Sequence, residues 1–213
     1  TLILCTATQP ALNAIEKKLK VSDEAEMISN IPEIIGAFKR TEIVNLVENA
    51  GWSIEKLVDF IKSQLKTNKS ILTILNTTTA VRKTFCLIQY DLSADVHLYH
   101  LSTLMCPAHR KDILDEIRQK LENGERVLCI STQLIEAGVD ISFECVIRSL
   151  AGCDSIAQAA GRCNRNGESS IRNVFVVKLN SEAENLSKLH DIKRGQYVTL
   201  EVLNLMAVDS SFG

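Results

Sequence analysis

Asp154-Ser-Ile-Ala-Gln-Ala-Ala-Gly-Arg-Cys-Asn-Arg165 reads as a short helix with Asp154 as its N-cap. Gln158, Arg162 and Arg165 stand at i, i+4 and i+7, a spacing that puts one amide and two guanidiniums on one helix face. Between them lie Ala157, Ala159, Ala160 and Gly161, small enough for the backbone to approach a neighbour closely while the long polar side chains project. No carboxylate occurs between Ile156 and Gly167 to neutralise the arginines locally. Two readings stand at this point. One is a solvated basic helix end. The other is a phosphate clamp, because paired guanidiniums match phosphate oxygens in charge and geometry.

Upstream of this stretch, strand-like and helix-like patterns alternate. Ile71 to Leu75 is a short apolar run bounded by polar residues, as a buried strand requires. Asn76-Thr77-Thr78-Thr79 makes a polar turn, and Ala80 to Tyr90 follows as a helix. The free N–H groups and hydroxyls where that helix starts suit an anion, and equally suit plain N-capping. Val96 to Leu101 is the next strand, and Pro107 opens a helix whose buried face is Ile113, Leu114, Ile117 and Leu121. Further strands are expected over Arg126 to Ile130, Cys145 to Leu150 and Asn173 to Leu179, and an earlier one over Glu42 to Val47. Ser53 caps a helix striped by Ile54, Leu57, Val58, Ile61 and Leu65, with Trp52 as a packing residue. Ser181 to Met206 carries a looser helical pattern, expected to break near Gly195. Such alternation implies an α/β fold with a mainly parallel sheet and helices on both faces.

A second chemistry-bearing stretch is Thr132-Gln-Leu-Ile-Glu-Ala-Gly138-Val-Asp140, directly after a strand. A hydroxyl at a strand end can meet a phosphate, and a glycine lets the backbone approach a ligand. The carboxylate two residues on can accept from a ribose hydroxyl, or serve only as a turn former.

The 213 residues allow one domain or slightly more, and 46% are apolar, enough for a large core. A net charge of −2 means that any nucleic-acid contact must come from a local patch. The seven cysteines form no Cys-x-x-Cys pair and mostly sit in apolar runs, which argues for a reducing compartment and against a disulfide frame or a zinc site. There is no apolar run of transmembrane length, so a cytoplasmic location and no membrane partner are expected. Thr1 opens the chain inside an apolar run, as in a piece of a longer protein.

Gln158-x-x-Gly-Arg-x-x-Arg165 resembles the sixth motif of superfamily 2 helicases, and its extension to Gly167 is most similar to the CRISPR-associated helicase-nucleases of type I systems. Ser131 to Ile141 resembles the fifth motif, the strand from Ser70 with its Asn-Thr turn and the helix to Tyr90 the fourth-motif region, and Thr6-Ala-Thr-Gln-Pro10 the third. The resemblance implies a RecA-like fold of P-loop NTPase type, the second of two motor domains. On it, residues 1–20 end the first motor domain, 21–180 form the second, and 181–213 are a C-terminal helical extension. It also implies Arg162 and Arg165 as catalytic residues, one of them an arginine finger, with Gln158, Gly138 and Asp140 near the nucleotide. Thr132, Asn76, Thr77, Thr78, Ser102 and Thr103 would hold the nucleic-acid backbone. Where the family has His-Ser-Arg, this chain has Leu101-Ser102-Thr103, which removes one charged grip.

No Gly-x-x-x-x-Gly-Lys-Ser/Thr loop occurs, nor an Asp-Glu-x-His or Asp-Glu-x-Asp stretch for Mg²⁺, nor the nuclease's His-Asp motifs. ATP with Mg²⁺ would therefore be bound mainly by an upstream domain, and this chain would be inactive alone. The implied partners are single-stranded DNA, the upstream RecA-like and nuclease domains, and the CRISPR RNA-guided surveillance complex. The alternatives are another superfamily 2 translocase, or a binding module without enzymatic activity.

Overall fold

The structure, a computed structural model, describes residues 39–136, 139–167 and 170–209, with side chains as far as residue 205. The expectations for residues 1–38, including the third-motif stretch, lie outside the described residues. The described residues from Arg40 onward form one compact unit. Among them no helix is long and apolar enough to cross a membrane.

Six strands are described: β1 (Thr41–Asn45), β2 (Ser70–Leu75), β3 (Val96–Leu101), β4 (Arg126–Thr132), β5 (Cys145–Ser149) and β6 (Arg172–Val177). Five helices join and follow them: α1 (Ile54–Gln64), α2 (Thr78–Ile88), α3 (Pro107–Glu122), α4 (Cys153–Ala160) and α5 (His190–Asp209). The sheet order is β1-β6-β5-β2-β4-β3 with every pair parallel. β2 pairs on one side with β4 and on the other with β5. The chain therefore changes direction across the sheet at β2, and a crevice opens at the carboxyl ends of these strands, where open α/β sheets take ligands.

The period-2 alternation of the strands divides the core between two faces. Ile71 and Leu75 join Leu57, Val58 and Ile61 of α1 and Ala80, Val81 and Ile88 of α2 on one face. Leu72 and Ile74 join Ile117 of α3 and Ala159 of α4 on the other. Trp52 is buried edge-on against Phe60, which meets Phe175 in the same way, so it packs as expected. Caps set the entries to the helices. Ser53 accepts from Lys56 N, and Thr77 accepts from Ala80 N.

Two elements differ from the sequence reading. The helix expected over Asp154–Arg165 is Cys153–Ala160, its N-cap is Gly152 instead of Asp154, and it closes at Gly161. The chain then leaves the helix because Phe143 and Cys163 form a bridge: Phe143 N donates to Arg162 O and Asn164 N to Phe143 O. Asn164, at φ +47°, turns it away again. α5 is unbroken at Gly195, because the glycine serves close packing. A Cβ there would stand 2.9 Å from Gly152 N.

Candidate functional site

The carboxyl ends of β2, β4 and β5 bring together three stretches far apart in the chain. Asn76 follows β2, a 3-10 turn over Gln133–Ile135 follows β4, and Arg148 and Ser149 end β5. At their centre is a fully buried guanidinium. Arg148 Nη1 donates to Asn76 Oδ1 at 2.8 Å and to Ser149 O at 2.7 Å, while its Nε stands 2.7 Å from Glu136 Oε1 in an ion pair outside hydrogen-bond geometry. Glu184, also buried, accepts from Asn76 N at 2.6 Å, Asn76 Nδ2 at 2.7 Å and Ser149 Oγ at 2.7 Å. Burial holds the Arg148 guanidinium below its ordinary value, opposed by the charges of Glu136 and Glu184. It also pushes the Glu136 carboxyl up, with Arg148 opposing.

Asn76 is therefore a correction. Its amide nitrogen is committed to Ser149 Oγ, Leu150 O and Glu184, and its oxygen to Arg148, so the side chain holds the interior together and offers no donor to a phosphate. Thr77 is the N-cap of α2 and Thr78 its first residue, both half-buried. Ser102 is buried just beyond β3, and Thr103 beside it is exposed. Thr132 is placed differently from an exposed contact. It ends β4 at 4% exposure with Oγ1 buried and unpartnered among the described residues, so its hydroxyl is not presented to solvent. Gly138 lies outside the described residues.

The two arginines, equal in the sequence, are placed differently, and neither lies on α4. Arg162 is 7% exposed; its Nε donates to Ile135 O at 3.0 Å and its Nη2 to Glu136 O at 2.7 Å, clamping the turn after β4. Burial depresses its affinity for a proton, and the neighbouring Arg165 charge adds to this. Arg165 keeps 41% of its side chain exposed, with Nε 2.6 Å from Asp140 Oδ1. Its backbone is pinned from both sides, with N donating to Ser142 Oγ at 2.9 Å and O accepting from Arg40 Nη1. Asp140 is 80% exposed, so the local neutralisation that the sequence lacks is supplied by the fold in an open ion pair. Gln158 is half-buried on α4, the one member of the trio that stays helical.

Sequence reasoning missed Glu136, Arg148, Glu184 and Arg40. One signal was present: Arg148 is a lone charge inside the apolar strand Cys145–Ser149, and a charge in a fully buried strand needs partners.

Residues 67–168 match the family described as "CRISPR-associated nuclease/helicase Cas3, C-terminal". The match covers just under half of the chain, and over those residues the chain is similar to that C-terminal region. A Cas3 nuclease/helicase of Haloferax volcanii is 47% identical over 75 residues, 35% of this chain and 8% of that protein. The ATP-dependent helicase Lhr-Core of Methanocaldococcus jannaschii is 29% identical over 147 residues, 67% of this chain and 17% of that protein. The chain thus spans less than a fifth of the length of these curated relatives. Among solved structures, the T. fusca Cas3–AMPPNP complex superposes with a TM-score of 0.58 at 19% identity, covering 78% of this chain and 22% of that one. Domain 2 of the DEAD-box helicase Mss116p superposes with a TM-score of 0.54 at 15% identity, covering 64% of this chain and 54% of that one. These likenesses carry the fold: the described residues from Arg40 onward form a RecA-like α/β domain with a parallel six-stranded sheet.

Proposed function

We propose that this chain supplies the arginine half of a split ATP site in a Cas3-type helicase that translocates single-stranded DNA in CRISPR interference. The observation that carries the reading is Arg165: a half-exposed guanidinium whose backbone is pinned on both sides and whose side chain pairs, among the described residues, with a solvated carboxylate. Exposed pairs of this kind are worth at most about 1 kcal/mol, so Arg165 can leave Asp140 for a phosphate at little cost. The donor set fits a polyphosphate: an exposed guanidinium, and Asp140 then free to accept from a ribose hydroxyl, with Gln158 on α4 as the further polar candidate. ATP with Mg²⁺, held mainly by an upstream domain, would supply the phosphoanhydride bond that is cleaved. Arg165 then stabilises charge as that bond breaks, acting as the arginine finger. Arg162 acts at one remove, fixing the turn after β4 so that Asp140 and Arg165 stay in register. The exposed Thr103 and the start of α2 at Thr77 and Thr78 face the nucleic-acid strand.

The test is ATP hydrolysis by the full protein, with and without single-stranded DNA, for the parent and for Arg165→Ala. Hydrolysis should fall by a factor of about 10³ or more, the scale of an arginine finger, while ATP binding is spared. Loss of binding in proportion to hydrolysis would overturn the role.

A second reading is favoured by one observation. The similarity to Lhr-Core runs over 67% of the chain at 29% identity, against 53% at 33% identity for a Cas3 of Streptococcus thermophilus. On that reading the chain would belong to another superfamily 2 translocase. Metal-dependent cleavage of single-stranded DNA by the full protein, together with ATP-dependent recruitment to an RNA-guided surveillance complex, decides for the Cas3 type.

A further inference from the structure

The buried ionic cluster is not used by the ATP chemistry, yet it joins the two working turns of the domain. Arg162 grips the backbone of Ile135 and Glu136. Glu136 turns its carboxylate inward to Arg148, Arg148 holds the Asn76 side chain, and Asn76 directly precedes Thr77, the N-cap of α2. Glu184 closes the cluster from the segment before α5, binding Asn76 through both its backbone N–H and its amide. Every link is a direct contact between groups at most 7% exposed, and the cluster crosses the sheet at β2, where the strand order reverses. An apolar strand end would fill this space at a lower desolvation cost, so a charge here is not explained by packing alone.

We propose that Arg148 is a positioning residue that couples the two sites. It locks the turn gripped by Arg162, beside the phosphate-facing Arg165, to the start of α2, which faces nucleic acid, so that a displacement of one is carried to the other. This rests on the function proposed above. Coupling through a packed chain of this kind requires that its members move as one body, and the paired side chains remove the slack that a simple apolar contact would leave.

The experiment uses the full protein and the paired substitution Glu136→Gln with Arg148→Met, which removes both charges while keeping the volume filled. Basal ATP hydrolysis, stimulation by single-stranded DNA, DNA affinity and thermal unfolding are all read. Basal hydrolysis and DNA binding should stay within about twofold of the parent, and stimulation should fall at least tenfold, the size of a coupling of about 1.4 kcal/mol. Parent-like stimulation overturns the proposal. If the pair fails to fold, Arg148→Lys keeps the charge and loses the fork to Asn76 and Ser149; reduced stimulation with unchanged melting supports the coupling, and full stimulation overturns it. Arg165→Ala separates the two readings. If it abolishes hydrolysis while the Arg148 variants stay stimulated, the split site stands and the coupling falls. A parent that DNA does not stimulate sinks both.

Discussion

Gly195→Ala sets two physical effects against each other at one position. Residue 195 is six places into α5, where alanine is favoured over glycine by about 0.8–1.0 kcal/mol through backbone entropy. An exposed helix would therefore be stabilised. Here an added Cβ would lie 2.9 Å from Gly152 N, 3.0 Å from Gly152 Cα and 3.7 Å from Ala151 C. Comfortable contacts are about 3.5–4.0 Å, and the opposing atoms are backbone at the N-cap of α4, which has no side-chain torsion to yield. Relief means lifting α5, which lengthens two bonds to the same segment: Gln196 Nε2 to Leu150 O at 2.8 Å and Thr199 Oγ1 to Ala151 O at 2.7 Å. Overpacking of this kind costs about 1–3 kcal/mol, and each weakened hydrogen bond up to about 1 kcal/mol. The net expectation is a loss of about 1–2 kcal/mol, or a Tm lower by about 2–8 °C for a chain of this size. Thermal unfolding followed by circular dichroism measures it. A Tm that rises would mean that helix propensity wins, and that α5 does not rest on Gly152 as described.

Two further predictions concern protonation and reactivity. Burial raises the Glu136 carboxyl above the ordinary glutamate value of 4.5, with the Asp154 charge pushing the same way and Arg148 opposing. A carboxyl raised on folding stabilises most below its unfolded pKa, and that contribution is lost as pH climbs through the folded value. As the pH rises above 4.5 the parent should thus lose a component of stability that Glu136→Gln does not; parallel urea-midpoint profiles would refute it. Burial likewise pushes the thiols of Cys145 and Cys163 up to about 12, and Cys129 further still, whereas Cys86, Cys106 and Cys153 are exposed. Iodoacetamide at about pH 8 should label Cys86, Cys106 and Cys153 of the native protein and spare Cys129, Cys145 and Cys163; equal labelling of Cys145 would show that the core opens readily.

Most of the fold was legible because it rests on local pattern. The apolar run Ile71–Leu75, the stripe Ile54, Leu57, Val58 and Ile61, and Pro107 at a helix start each determine an element from its own residues, and their alternation implies a parallel sheet. The motif residues, too, were readable in one dimension, since Gln158, Arg162, Arg165, Thr132 and Asp140 stand at spacings that name a chemistry. The roles within that set were decided by contacts that no spacing contains. Arg162 and Arg165 separate into a buried clamp and an exposed cation because Phe143, 20 residues upstream of Cys163 in the numbering, pulls the chain out of its helix. Asp140 neutralises Arg165, and Asn76 turns inward, because β2, β4 and β5 end side by side. Arg148 looks misplaced in its strand until Glu136 and Asn76 meet it across the sheet. Periodicity encodes which face of an element is apolar. Which polar groups meet at the strand ends depends on the order in which the strands are laid down, and only the tertiary structure decides that.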